Sequence, residues 1–298
     1  MGRFVVDGYQ MCALHERAET LLSSLYSGPI RNASEQAGLH PFVFEIHRRI
    51  QTLTKRVDHR LAPNPYPVEV NGRTVRFDVS TLPEYNRVSS FLDEEAVIDA
   101  IVSELRDDDV YWDVGANIGT HALLPAAAHP GARIIAVEPH HRNVAKLIRN
   151  KTLNESDSVT ILPIALSDHT GTATLRGADD RPGYGSFSLG DDTEETVADV
   201  PVRPGDDVIA DGVPKPSVVK IDVEGAEREV LDGLSETLAE GSIRTVFCEV
   251  HRHEGVDESD VVGRLEDREY DVSRITERGP TVFLKADRTE SKRSLPLL

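Results

Sequence analysis

Residues 110–119 read VYWDVGANIG, a short apolar run that leads through an acidic residue into a glycine turn. A strand, a tight turn and a helix start in this order place a cofactor at the carboxyl end of the first strand of an open α/β sheet. The glycines form G-x-x-x-G at Gly115 and Gly119, whereas the dinucleotide fingerprint requires a glycine where Asn117 stands. The acid Asp113 repels phosphate and attracts a cation. The stretch therefore favours S-adenosylmethionine, which has no phosphate and carries a positive sulfonium and amine, over NAD.

Beyond this turn, apolar runs and helical periods alternate regularly along the chain. Such alternation predicts a parallel, doubly wound α/β sheet. Residues 270–287 break the alternation with two apolar segments around a tight turn, which predicts a hairpin and an antiparallel strand in the sheet. The other predicted strands cover residues 132–138, 159–166, 217–222 and 243–250, and the predicted helices cover 94–105, 118–129, 141–153, 225–240 and 258–268.

The segment before the first sheet strand has a different character. Residues 8–57 read as helical, and the run LAPNPYP at 61–67 interrupts that pattern. Asn71-Gly72 between two alternating runs is a strong hairpin signal. We therefore expect three parts: an N-terminal helical extension and linker over 1–62, a cofactor-binding domain with its own N-terminal hairpin over 63–288, and a flexible tail over 289–298.

The charge of the chain limits its partners. Its 298 residues carry 51 acids against 33 bases, a formal net charge of −18, and such a surface repels the phosphates of nucleic acids. Acid-rich, lysine-poor surfaces suit a high-salt cytoplasm, which predicts a halophilic source. No apolar run approaches the roughly 20 residues of a transmembrane span, and the first residues do not resemble a signal peptide. We expect a cytoplasmic protein without nucleic acid partners, in which the N-terminal helices offer a surface for a homo-oligomer.

Two further strand ends supply candidate cofactor contacts. Glu138 ends the second predicted strand and is followed by a proline that stops it. An acid at this place in a doubly wound fold accepts hydrogen bonds from the ribose hydroxyls. Ser167 and Asp168 end the third predicted strand, where Asp168 is a candidate acceptor for the adenine amino group. The run 168–171 is equally suited to an ordinary turn.

Acidic residues and a histidine end the next two strands. In KIDVEGAE at 220–227, we expect Asp222 and Glu224 to lie beyond the strand and line the crevice, because charges buried without partners are costly. In CEVH, Glu249 and His251 project near the same edge. His251 is a candidate general base with a pKa near neutrality, or else a surface histidine. Asp222, Glu249 and His251 could also ligate a metal through oxygen and imidazole donors, although no spacing rule demands one.

These motifs, taken in order, resemble the FkbM-type methyltransferases. The matching segments are DVGANIG (113–119), Glu138-Pro139, ALSD (165–168), GYGS (183–186), KIDVEGAE (220–227) and CEVH (248–251). The resemblance implies the class I methyltransferase fold, with a seven-stranded sheet whose last strand is antiparallel. It also implies S-adenosylmethionine as donor and O-methylation of a sugar, glycolipid or polyketide hydroxyl. The chain departs from the family at PGDD (204–207), where a leucine-aspartate pair is common, and in its helices before residue 60.

The predicted reaction is an in-line displacement in which an acceptor hydroxyl attacks the sulfonium methyl group. Asp113 and the turn from Gly115 to Gly119 would hold the methionine end, and Asp222, Glu224 or His251 would orient or deprotonate the acceptor. Residues 178–196 read as a long mobile loop, whose GYGS segment would close over the acceptor or be disordered. Two rival functions are an NAD-dependent oxidoreductase, which Asp113 and Asn117 disfavour, and a non-catalytic cofactor-binding scaffold that recruits partners through its N-terminal helices.

Overall fold

The computed structural model describes residues 40–89, 94–177, 182–183, 187–189 and 196–289. Its first part comprises helix α1 (His40–Leu61), strands β1 (Tyr66–Val70) and β2 (Arg73–Phe77), and helix α2 (Leu82–Ser89). The predicted hairpin is confirmed, because Val70 pairs with Arg73 and both turn residues have positive φ, 48° at Asn71 and 74° at Gly72. These are the angles that a type I′ turn requires. The predicted helical segment before residue 40 lies outside the described residues.

A seven-stranded sheet forms the centre of this part of the chain. In spatial order its strands are β12 (Tyr270–Arg278), β13 (Thr281–Arg288), β11 (Thr245–His251), β10 (Val218–Ile221), β3 (Val110–Val114), β4 (Arg133–Val137) and β5 (Val159–Leu162). Strand β13 runs antiparallel to both of its neighbours, whereas the pairs from β11 to β5 are parallel. The seven strands and the antiparallel last strand confirm the predicted fold class.

Helices cover both faces of this sheet. Residues of α3 (Glu95–Glu104), α4 (Thr120–Ala128) and α5 (His141–Leu153) share one core with the hairpin, while those of α6 (Gly205–Ala210), α7 (Glu227–Gly233), α8 (Ser235–Glu240) and α9 (Glu258–Glu266) share a second. Strand β3 serves both cores, since Tyr111 packs into the first and Trp112 into the second. Both side chains are fully buried. Burial on both faces explains why β3 reads as a continuous apolar run.

Three sequence predictions need correction. The predicted strand 159–166 divides, because Pro163 lacks a backbone N–H and separates β5 from β6 (Ala165–Leu166). The predicted helix 225–240 divides into α7 and α8. A second, four-stranded sheet was not predicted, and its strands in spatial order are β6, β9 (Thr196–Arg203), β7 (Gly171–Gly177) and β8 (Phe187–Leu189). It takes up part of the predicted mobile loop 178–196.

The remaining parts of that loop lie outside the described residues, including Tyr184, Gly185 and Ser186 of the GYGS segment. The same holds for residues 290–298 of the predicted tail, whereas Thr289 is still bonded through its N–H to the Glu269 carbonyl at 2.9 Å. In the described part of the chain, no helix combines the length and the apolar character that a bilayer span requires.

Candidate functional site

A pocket opens at the carboxyl ends of β3, β4 and β10. Gly115 and Asn117 of the glycine turn, Glu138 after β4, and Asp222 and Glu224 after β10 all line it. Five of the residues predicted from the sequence therefore come together in one pocket. This is the edge of an open α/β sheet where ligands bind.

The glycine turn lies directly against the exit of β10. Gly115 has φ of +83°, and a Cβ atom at this position would lie 1.8 Å from the backbone oxygen of Asp222. Its N–H and that of Ala116 both donate to the Val137 carbonyl, at 2.9 and 3.0 Å. Only a glycine fits here, because any side chain would push the two loops apart. The turn thus brings the part of the pocket near Glu138 and the part near Asp222 into contact.

The Glu138 carboxylate is oriented mainly by backbone N–H groups. The N–H of Asn117 donates to Oε2 at 2.7 Å, and the N–H of His140 donates to Oε1 at 2.9 Å. Asn143 Nδ2 adds a longer contact of 3.4 Å to Oε1. Burial raises the pKa of Glu138, and these hydrogen bonds partly offset the rise. Each carboxylate oxygen can accept further bonds, so Glu138 is fixed in place with capacity left for a ligand in the pocket.

The wall beyond Glu138 is apolar. Val137, Ile164 and Leu166 line the pocket there, which suits a flat aromatic ring such as adenine. The lining residues also include three acids against one arginine, a set of side chains that fits a cationic, phosphate-free cofactor better than a dinucleotide. On these observations the residues present fit S-adenosylmethionine.

Ser167 and Asp168 lie just past this wall. Asp168 is half exposed, and its Oδ1 lies 2.7 Å from Nδ1 of the neighbouring His169. The N–H of Ser167 bonds to the Arg203 carbonyl of β9 at 3.0 Å. The chain therefore turns at this point into the second sheet, and the structure does not bring Asp168 to the pocket. Its contact with adenine stays a prediction.

Asp113 and Gly119 occupy interior positions instead of pocket positions. Asp113 faces Lys220 across the β3–β10 register, and Lys220 Nζ lies 3.1 Å from Asp113 Oδ1 and 3.0 Å from Asp222 Oδ2. Asp113 is fully buried. A Cβ at Gly119 would lie 2.2 Å from Leu147 Cδ1, so this glycine permits close packing of α4 on α5. The predicted contact of Asp113 with the methionine end stays a prediction, since its partner here is Lys220.

A second group of charged side chains surrounds His251, the last residue of β11. Glu227 Oε1 lies 2.6 Å from His251 Nδ1, and both residues are buried. On its other side, His251 Nε2 faces three carboxylates: Asp222 Oδ1 at 3.8 Å, Glu224 Oε2 at 3.5 Å and Glu249 Oε1 at 3.6 Å. The predicted candidates Asp222, Glu224 and His251 therefore form one cluster at the pocket.

The charges of this cluster shift one another strongly. Burial alone would lower the pKa of His251, but its hydrogen bond to Glu227 and the nearby carboxylates raise it to about 9. Burial raises the pKa of Glu224 to about 7, and burial together with the Asp222 charge raises that of Glu249 to about 9. Burial opposes ionisation of Asp222, yet Lys220 and Arg87 hold its pKa below the usual range. The carboxylates around His251 therefore favour a positive charge at this position, in contrast to the pKa near neutrality expected from the sequence.

Two residues of the site were missed by the sequence analysis. Arg87 lines the pocket from α2, with Nη2 3.9 Å from Asp222 Oδ2. The start of α2 has a sequence signal, the capping box Thr81-x-x-Glu84, in which the N–H of Thr81 donates to Glu84 Oε2 at 2.8 Å. That signal predicts where the helix begins, but it does not predict that the Arg87 side chain lines the pocket. Glu227 was read as part of a conventional helix, although it orients the histidine.

A model of the FkbM methyltransferase domain matches residues 113–272, more than half of the chain. The chain belongs to the FkbM methyltransferase family. Hexuronic acid methyltransferase AglP of Haloferax volcanii is 34% identical over 205 residues, which cover 68% of this chain and 80% of that protein. The 31-O-demethyl-FK506 methyltransferase FkbM of Streptomyces tacrolimicus is 30% identical over 185 residues, covering 51% and 69%. Membership confirms the resemblance seen in the motifs.

Magnesium protoporphyrin IX methyltransferase (ChlM) of Synechocystis PCC 6803, solved with bound S-adenosylmethionine, is similar at a TM-score of 0.42 and 14% identity, over 70% of this chain and 84% of that one. With the family and the strand order in place, the chain is an S-adenosylmethionine-dependent methyltransferase. The oxidoreductase and scaffold interpretations are thereby set aside. Arg87 and α2 precede the matched region, so part of the pocket comes from outside the family domain.

Proposed function

We propose that this FkbM-family methyltransferase transfers the methyl group of S-adenosylmethionine to an oxygen of a sugar-type acceptor, free or carried on a glycan or lipid. The observation that carries the proposal is the single pocket in which Glu138 and the glycine turn face Asp222 and Glu224. One side suits the cofactor and the other suits a polar acceptor. The two sides are joined by the close approach of Gly115 to Asp222.

On the cofactor side, Glu138 would accept hydrogen bonds from the ribose hydroxyls, and Gly115 and Asn117 would lie along the methionine part. Val137, Ile164 and Leu166 would enclose the adenine ring. The bound cofactor supplies an activated methyl group on a positive sulfonium. The protein then has to align the acceptor oxygen and take up its proton.

On the acceptor side, Asp222, Glu224 and His251 would hold the acceptor hydroxyl and provide the place for its proton. Glu227 fixes the His251 ring through Nδ1 at 2.6 Å, so the orientation of the cluster is set before a substrate binds. Preorganisation of this kind lowers the cost of aligning two reactants.

The acceptor class is drawn from the similarity to a hexuronic acid methyltransferase. A hexuronic acid offers hydroxyls and a carboxylate, and Arg87 provides a guanidinium at the pocket wall. We therefore place sugar acids ahead of neutral sugars as acceptors.

The proposal is tested with S-adenosylmethionine labelled in the methyl group and a matched pair of acceptors, a glycoside of glucuronic acid and the same glycoside of glucose. Label should enter the uronate and resist mild alkali, because a methyl ether is stable where a methyl ester is hydrolysed. Alkali-labile product would move the reaction from a hydroxyl to the carboxylate. Absence of label in sugars of both kinds, with cofactor binding intact by calorimetry, would overturn the sugar assignment.

A further inference from the structure

Four side chains converge where β10 and β11 end. Asp222 and Glu224 follow β10, and Glu249 and His251 belong to the end of β11, its parallel neighbour. Three carboxylate oxygens lie around His251 Nε2, at 3.5 Å (Glu224), 3.6 Å (Glu249) and 3.8 Å (Asp222). All three separations exceed the roughly 2.7–3.2 Å of a hydrogen bond between nitrogen and oxygen. The imidazole nitrogen therefore has acceptors around it at distances that no direct bond explains.

These separations are slightly longer than those between donor atoms that share a metal ion, so small movements of the side chains would bring the donors onto one ion. With bonds of about 2.1 Å, two donors lie about 3.0 Å apart at a right angle and about 3.4 Å apart at a tetrahedral angle. The donor atoms of Asp222, Glu224 and His251 all lie within 4.8 Å of one another. We propose that Asp222, Glu224 and His251 bind a divalent metal ion beside the cofactor pocket, with Glu249 as a neighbouring fourth oxygen donor.

The orientation of His251 supports this site. A metal-binding histidine usually donates its other ring N–H to a carboxylate, which fixes the ring and leaves a lone pair toward the metal. Here Glu227 Oε1 lies 2.6 Å from Nδ1, Glu227 is completely buried, and the N–H of Gly225 donates to the same oxygen at 3.2 Å. Nε2 is thereby directed at the carboxylates. His251 is only 3% exposed, so contacts within the protein, and not contacts with solvent, set its orientation.

The charges around Nε2 also call for a cation. Lys220 and Arg87 both approach Asp222 most closely at Oδ2, whereas its Oδ1 faces His251. Within the described part of the chain, Glu224 and Glu249 form ion pairs with histidines and with no lysine or arginine. Carboxylates that are largely withdrawn from water without a directly paired lysine or arginine are costly, and a divalent ion would neutralise them.

The ion would act on the acceptor, and this part of the inference rests on the proposed function. Asp222 and Glu224 line the cofactor pocket, so a metal held by them borders the space where the acceptor oxygen meets the methyl group. Such an ion could ligate two adjacent acceptor oxygens and favour loss of the hydroxyl proton. The carboxylate donors, which outnumber the single imidazole, suit Mn²⁺ among the common divalent ions.

Mn²⁺ itself is the probe. The full chain is stripped with EDTA and dialysed, and Mn²⁺ is added while the signal of the free ion is followed by electron paramagnetic resonance. We expect saturable binding of one ion per chain, weakened at least about 10-fold in His251→Asn and Glu224→Gln, and about 10–100-fold in Glu227→Gln, which loses the orienting carboxylate. His253→Asn is the matched control, because His253 is an exposed neighbour, and it should bind as the wild type does.

Two results would overturn the site. One is no saturable Mn²⁺ binding by folded wild-type protein at millimolar metal. The other is loss of binding in His253→Asn with retention in His251→Asn, which would place the ion on the exposed group of Glu224, His253 and Glu254. Circular dichroism shows that each variant is folded.

A methyl-transfer assay distinguishes failure of the proposed metal site from failure of the proposed function. Transfer to a sugar by metal-free protein at the rate of the Mn²⁺-loaded protein would contradict the action of the ion on the acceptor and leave the proposed function intact. Binding of Mn²⁺ to the wild type but not to His251→Asn, without transfer to any sugar, would support the metal site and contradict the acceptor.

Discussion

The strands β3, β10 and β11 carry a charged cluster at each end, and the two clusters differ in spacing. At the amino ends, Asp109, Ser217 and Arg244 each precede one strand. Arg244 Nη1 and Nη2 reach Asp109 Oδ1 and Oδ2 at 2.5 and 2.6 Å, and Ser217 Oγ donates to Oδ1 at 2.7 Å. The N–H of Arg106 adds a bond of 2.7 Å to Oδ2. Every oxygen of Asp109 is occupied, and the cluster has no room for a ligand.

At the carboxyl ends, several acids and a histidine stand further apart. His251 Nε2 lies 3.5–3.8 Å from three carboxylates, and the pocket adjoins them. The comparison shows that the presence of charged residues at strand ends does not by itself make a binding site. Saturated hydrogen bonds make the amino-end cluster a structural element, whereas the open spacing at the carboxyl end leaves binding capacity for an acceptor or an ion.

The largest effect is expected from His251→Asn at the open cluster. Loss of a group that positions or deprotonates the acceptor should lower kcat about 10²–10⁴-fold. The affinity for S-adenosylmethionine, measured by calorimetry, should change less than about twofold because Glu138 is untouched. His253→Asn is the control. A kcat within threefold of the wild type would remove His251 from the reaction and make the open cluster as structural as the closed one.

Lys220→Met tests a directly paired charge within the open cluster. The change leaves Asp113 and Asp222 buried without their ammonium partner, which should cost about 3–5 kcal/mol in the free energy of unfolding. Denaturation in urea measures it. Lys215→Met is a matched control, since the exposed Lys215–Glu240 pair contributes little. Equal stability of both variants would mean that the Lys220 pairs do not hold the strand ends together.

Glu138→Ala examines the cofactor side of the same end. Loss of an acceptor for the ribose hydroxyls should raise the Kd for S-adenosylmethionine about 10–100-fold, at about 1.5–3 kcal/mol for hydrogen bonds to a charged group. Asp168→Ala is the comparison, and its Kd should stay within about twofold because Asp168 faces solvent. An equal loss in both variants would restore the adenine contact predicted from the sequence.

The smallest effect is expected at the closed cluster, from Asp109→Asn. Burial opposes the charge of Asp109, but hydrogen bonds from Arg244 and Ser217 lower its pKa below the usual 3.8. A lowered folded-state pKa stabilises the protein above pH 4, and this contribution disappears as the pH falls through the folded value. The variant should lose about 1–2 kcal/mol at pH 7 and converge with the wild type below pH 4, in urea unfolding from pH 3 to 7.

Activity at pH 7 should survive this change, and Asp108→Asn, an exposed neighbour, should alter neither property. A pH-independent stability difference would mean that packing, and not the ionised pair, distinguishes the closed cluster.

The fold followed from the sequence wherever a local signal existed. Asn71-Gly72 set the hairpin, and buried apolar runs such as 110–114 marked the parallel strands. The second sheet was missed because β6 is only two residues long and its partners lie far along the chain. Such short, non-local pairings leave no periodic pattern. The halophilic source, the cytoplasmic location and the homo-oligomer stay predictions of composition.

The same distinction between local and non-local signals applies to the residues of the candidate site. Glu138, Asp222, Glu224 and His251 were found because each follows or ends a strand, a position that sequence order reveals. The partners of these residues were not found. Lys220 pairs across strands, Glu227 reaches His251 from a helix, and Arg87 enters from a segment before the family domain.

By itself, the sequence determined the methyltransferase fold, the kind of cofactor and the strand ends that line the pocket, because glycine turns and apolar runs act on neighbouring residues. The tertiary structure decided which acids are paired with a lysine or arginine and which keep oxygens available for a ligand. Asp113 turned out to be the interior partner of Lys220, and His251 is oriented by Glu227 and surrounded by carboxylates. The charge of a side chain depends on its burial and on partners a few ångströms away in space. Asp113 and Lys220 lie more than 100 positions apart in the chain and become such partners only after folding.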